Sequence, residues 1–237
     1  MTEPTTSADL AECLAPTPFI ERDAPAVREF VARVVGDAQT DLDKAVRLFY
    51  AVRDEIRYDP YGIVLSVDGL KATTTLETGR GFCISKAVLF AAAARAVGIP
   101  ARLGFADVRN HLTTERLKAE MGTDVFAYHA FTELWLGGRW LKATPTFNRT
   151  LCERFGVNTL DFDGKSDSVF HPFDAAGKRH MEYVRDRDHA TDVPLEDIDR
   201  VWREFYPDTS ASEPAAATGD FEREAEEDTA RAIMKGQ

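Results

Sequence analysis

Residues 88–97 are apolar apart from Arg95, and a segment that is apolar all round must be buried rather than laid on a surface. The run is entered through Gly79-Arg80-Gly81-Phe82-Cys83-Ile84-Ser85-Lys86-Ala87 and is closed by Gly98-Ile99-Pro100, so a central buried helix is expected here. The glycine-flanked turn puts the Cys83 thiol at the helix N-terminus, where unpaired N–H groups and the macrodipole favour a thiolate. Arg102 to Val108 then reads as a strand.

Downstream, Tyr128-His129-Ala130-Phe131-Thr132-Glu133-Leu134 alternates polar and apolar residues as a strand does, and Thr144-Pro145-Thr146 follows after one short turn. A nucleophile and a base are both available. Four blocks carry a resemblance: Gly81-Phe82-Cys83, Arg95-Ala96-Val97-Gly98-Ile99-Pro100-Ala101-Arg102, His129-Ala130-Phe131-Thr132-Glu133-Leu134 and Gly138-Arg139-Trp140-Leu141-Lys142-Ala143-Thr144-Pro145-Thr146. Over residues 40–148 they resemble the core of the transglutaminase-like superfamily of papain-type cysteine enzymes.

That resemblance implies an α+β fold, with helices on one side of an antiparallel sheet and Cys83 at the N-terminus of the central helix. It implies a catalytic set of Cys83, His129 and the residue at position 144. The family usually places an aspartate there, and this chain has Thr144. A threonine hydroxyl can accept a hydrogen bond from an imidazole N–H but carries no charge to stabilise imidazolium. Asn148, Asp161 and Asp163 are alternative orienting groups, papain-like relatives using a neutral Asn in that place. Tyr58 is a candidate hydroxyl donor to the oxyanion, beside the Cys83 N–H. Glu133 lies four residues from His129, ~13 Å along a strand, and reads as a structural acid that could pair with Arg102.

A chain of 237 residues with 44% hydrophobic content supports one substantial core, taken here as a single domain over residues 1–207. The net charge of −11 and the absence of a clustered basic surface argue against nucleic-acid binding. The N-terminal residues lack a secretory pattern and no apolar stretch approaches ~20 residues, so a cytoplasmic protein without membrane contact is expected. Cys13, Cys83 and Cys152 lack the spacing of a zinc site or disulfide framework, and no metal or organic cofactor is implied.

Residues 1–20 read as a loose arm. Helices are expected from Pro25 to Gly36, from Asp41 or Asp43 to Ile56, and from Leu195 to Tyr206. Residues 63–78 read as a loop, 110–123 as a polar insertion near the cleft, and the stretches around 170–174 and 180–184 as extending or wrapping the sheet. From residue 208 the acidic composition reads as a disordered tail. The expected activity is cysteine-dependent acyl transfer on a peptide, protein or small amide substrate, most simply hydrolysis. Amine transfer and a catalytically silent binding module are the alternatives.

Overall fold

The computed structural model describes residues 5–111, 113–170, 181–207 and 219–235. In chain order its elements begin with α1 (Ser7–Glu12), α2 (Pro25–Val35) and α3 (Asp41–Glu55), then the two-residue strand β1 (Arg57–Tyr58). Two short helices, α4 (Val67–Leu70) and α5 (Ala72–Thr78), lead through β2 (Arg80–Gly81) to α6 (Cys83–Ala96). β3 (Ala101–Asn110), α7 (Glu115–Met121), β4 (Val125–Leu136) and β5 (Arg139–Ala143) follow. The chain continues with α8 (Arg149–Phe155), β6 (Met181–Ala190), α9 (Leu195–Phe205) and α10 (Phe221–Lys235).

Every residue of α6 from Cys83 to Arg95 is buried, as its lack of a polar face requires. It packs against β3 and β4 on one side and against α2, α3 and α5 on the other. The sheet is antiparallel in the order β5-β4-β3-β6, giving the α+β architecture expected from the sequence. Thr132 of β4 turns its hydroxyl to the Ala87 carbonyl of α6. Its neighbours Phe131 and Glu133 point the other way, Glu133 pairing with Arg102 as expected, and the Arg102 guanidinium lies over the Trp140 ring.

Two buried cations anchor α6 through carbonyls. Lys86 Nζ donates to the Arg53 and Ile56 oxygens at the end of α3, at 3.0 and 2.6 Å. Arg95 spreads its donors over the carbonyls of Ala101, Ala15 and Thr191. Burial pulls Lys86 down to about 7.

Four regions depart from the sequence reading. The loop at 63–78 holds α4 and α5, started by Ser66 and stopped by Gly79 in a left-handed conformation. The insertion at 110–123 holds α7, capped by Thr114 and Gly122. Short helices defined by their caps have no apolar periodicity to announce them. The N-terminal arm is not loose over residues 13–20: Cys13, Phe19 and Ile20 are buried and the Cys13 carbonyl accepts from Ala101 N–H. Nor is the tail disordered over 221–235. Phe221 and Ala225 of α10 are buried, and its acids meet donors on the protein: Tyr61 donates to Glu224, and Asn148 and Thr150 to Glu222. The tail reading for 208–218, and those placed on 171–180, which include His171 and His180, lie outside the described residues. Among the described residues no helix is long and apolar enough to cross a membrane.

Candidate active site

β1 and β2 form a two-residue parallel pair that sets Tyr58 beside Gly81, directly before α6. Gly81 has no room for a side chain, since a Cβ there would lie 2.4 Å from Ser85 Oγ. That hydroxyl accepts the Phe82 N–H and so closes the first turn of the helix.

Cys83 thus stands at the first helical position, only 9% exposed. The N–H groups of Cys83, Ile84 and Ala130 act to stabilise its thiolate, but burial outweighs them and pushes the thiol up to about 11. The sequence reading expected the helix N-terminus to favour a thiolate, and here desolvation outweighs it. Ala130 is the neighbour of His129 on β4, so the strand bearing His129 packs beside the start of α6.

His129 is 4% exposed, and burial lowers its imidazole to about 4. Its ring meets the Phe170 ring at 6.2 Å, and Nε2 has no hydrogen-bond partner. Among the described hydrogen bonds none joins the Cys83 and His129 side chains. Between about pH 4 and 11 the site therefore holds a neutral thiol and a neutral imidazole.

Thr144 is buried at the end of β5, its N–H donating to the Ser168 carbonyl. Its hydroxyl lies near the Tyr183 phenol but makes no hydrogen bond of good geometry, and the hydroxyl of buried Ser168 beside it has no partner. The alternatives weighed from sequence are engaged elsewhere. Asn148 accepts the Tyr58 N–H and donates to Thr150 and Glu222. Asp161 accepts from Arg53 and Tyr50, and Asp163 caps the turn at Lys165 and Ser166.

Tyr58 packs edge-on against Phe147 and Phe221 at 4.8 and 5.5 Å. Burial and then a thiolate at Cys83 raise its phenol far above the ordinary value, which puts it within electrostatic reach of the sulfur. Tyr206, just past α9, stands in the same relation to Cys83. Sequence reasoning missed Tyr206 and Ser168 as neighbours of the site: Tyr206 closes a helix legible only for its apolar face, and Ser168 lies in a stretch without motif or periodicity. A surface depression of about 350 Å³ lined by Arg22, Arg28, Arg95 and Gly98 sits at the far end of α6 and is not part of this site. Among the described residues no cluster of three His, Cys, Asp or Glu side chains could hold a metal ion.

A buried cysteine heading a central helix, with a histidine on the neighbouring strand, defines a Cys-His site on an α+β core. The model of the Transglutaminase-like superfamily matches residues 28–145, and this part of the chain belongs to that superfamily. The span contains Cys83, His129 and Thr144, whereas α8, β6, α9 and α10 lie beyond it. No curated protein matches the chain. Among solved structures it is similar to a "Putative Cysteine Protease from Cytophaga hutchinsonii", at 20% identity and a TM-score of 0.46, over 60% of this chain and 43% of that one. The chain thus spans less than half the length of that structure.

Proposed function

We propose that this protein catalyses acyl transfer from a peptide or amide bond through a thioester on Cys83, resolved by water. The observation that carries the reading is the packing of α6, headed by buried Cys83, against β4, the strand that bears buried His129, where the Ala130 N–H helps to stabilise a thiolate. Because both groups are neutral at rest, the proton moves during attack. The sulfur–carbon bond forms as the thiol proton passes to His129, and the scissile C–N bond then breaks as that proton passes to the amine. Water adds to the thioester, giving a proton to His129 that returns to the sulfur as the acid leaves. The Cys83 N–H and the Tyr58 phenol are the candidates to receive the oxyanion. Thr144 stands at the third family position as a candidate orienting residue, without a hydrogen bond to the ring in the resting state. Substrate entry requires the side chains around the sulfur to part, since both reacting groups are buried. Three free cysteines suit a reducing, cytoplasmic setting.

The test uses p-nitrophenyl acetate as an acyl donor and a library of peptide amides as substrates. Wild-type protein should release nitrophenolate in a burst with one acetyl group on Cys83, while Cys83→Ala gives no burst and His129→Ala a slow one. Equal release by all three proteins overturns the reading.

A further inference from the structure

β4 does not run straight into His129. Ala106 of β3 pairs with His129 and Val108 with Phe126, so the single residue Asp107 faces two residues, Ala127 and Tyr128. This is a β-bulge, and Tyr128 within it holds φ at +58°, a left-handed backbone that a bulky side chain rarely adopts. Such a conformation persists only where its surroundings over-determine it.

The surroundings are on hand. The Asp107 carboxylate, 3% exposed, accepts the Tyr128 N–H at 3.1 Å. Arg187 of β6 grips that carboxylate with two donors, Nη2 to Oδ2 at 2.8 Å, and lays its guanidinium over the Tyr128 ring at 4.7 Å. The other bulge residue is held as firmly: Ala127 N–H donates to the Tyr206 hydroxyl at 2.7 Å, and Trp202 Nε1 donates to the Ala127 carbonyl. Arg187, Trp202 and Tyr206 all lie beyond residues 28–145, outside the part of the chain that the family defines.

A strand alternates faces residue by residue, so a straightened β4 would put either His129 or Phe126 on the wrong face. We propose that Asp107, held by Arg187, is a positioning residue for His129: it fixes the backbone turn at Tyr128 that aims the base at Cys83. The assignment rests on the reading of Cys83 and His129 as nucleophile and base. In the resting structure the family's third position offers the ring no hydrogen bond, and the orientation of His129 comes from its backbone.

The experiment measures the rate and pH profile of Cys83 acylation by p-nitrophenyl acetate in the full chain. Asp107→Leu with Arg187→Met removes the acceptor and the buried cation together, leaving no uncompensated charge. This double variant should keep its near-ultraviolet circular dichroism yet acylate about tenfold or more slowly, with the pH profile of His129→Ala. Adding Tyr128→Gly, which takes a positive φ freely, should restore much of the rate. Asp107→Asn keeps the acceptor and should stay within about threefold of wild type. Should the double variant unfold, Asp107→Glu decides, because it keeps the ion pair but moves the acceptor by one methylene. Slow acylation there supports the proposal, and a wild-type rate and pH profile in either folded variant overturns it. If His129→Ala itself acylates like wild type, the acyl-transfer reading falls and this proposal with it; an effect of His129→Ala but none of the Asp107 variants removes the positioning role alone.

Discussion

The ring of Phe221 stands edge-on to that of Tyr58 at 5.5 Å, joining α10 to the residue that pairs with Gly81 at the entry to α6. Phe221 is 2% exposed and also meets Tyr61 and Phe155. Phe221→Ala should therefore cost about 3 kcal/mol of stability, as a buried aromatic does, and removal of residues 208–237 should cost at least as much. Urea denaturation checks both. A truncated chain with an unchanged midpoint would show that α10 is not docked in solution.

A second expectation concerns acid. Burial holds His129 at about 4 against its ordinary 6.5, so between those values the unfolded chain binds a proton that the native chain does not. Stability attributable to this residue is present above that window and lost as the pH falls through it, on the order of 2–3 kcal/mol between pH 7 and 4.5. His129→Gln should shrink the difference between urea curves at those two values. An identical pH dependence in the variant would mean that the ring is hydrated.

Lys86 gives the corresponding signature at alkaline pH. With its ammonium lowered from 10.5 to about 7, unfolding takes up close to one proton at pH 8–9, and stability should rise there by about 1 kcal/mol per pH unit. Lys86→Met should lose that slope. A variant retaining it would show that the two α3 carbonyls keep the amine charged.

At Thr144 the buried hydroxyl lies near the Tyr183 phenol but makes no hydrogen bond of good geometry, so Thr144→Val should leave acylation within about twofold and cost about 1 kcal/mol of stability at most. Thr144→Asp should raise the His129 pKa from about 4 and carry acylation to lower rates below the new value, since a protonated base cannot accept the thiol proton. Titration of the imidazole by NMR reads this directly. No movement of the ring pKa would place Thr144 out of reach of His129.

The elements that could be read from the sequence were those whose apolar pattern matched their burial. Pro25 at the start of α2, the unbroken apolar run of α6, the alternation around His129 and the Arg102–Glu133 pair are all of this kind. β6 was legible only at its start, over 181–184, because Glu182 to Asp188 is charged at most positions and its strand form comes from pairing with β3. α10 escaped because its composition resembles solvated chain, and only the partners of Phe221, Glu222 and Glu224 order it. In the candidate site, the positions of Cys83 at a helix terminus and of His129 on a strand could be read, but the burial that neutralises both groups could not. Desolvation depends on what lies overhead, which here includes Phe170 and residues far along the chain.

The anchoring of α6 by Lys86 and Arg95 has a consequence for ionic strength. Both side chains end on backbone carbonyls at buried positions, Lys86 as ammonium or neutral amine, rather than on exposed carboxylates. The exposed pairs Arg28–Asp23, Arg33–Glu55 and Arg200–Asp197 should weaken as salt is added. The frame that carries Cys83 is insulated from that change, so the thiol should keep its place in brine as in dilute buffer.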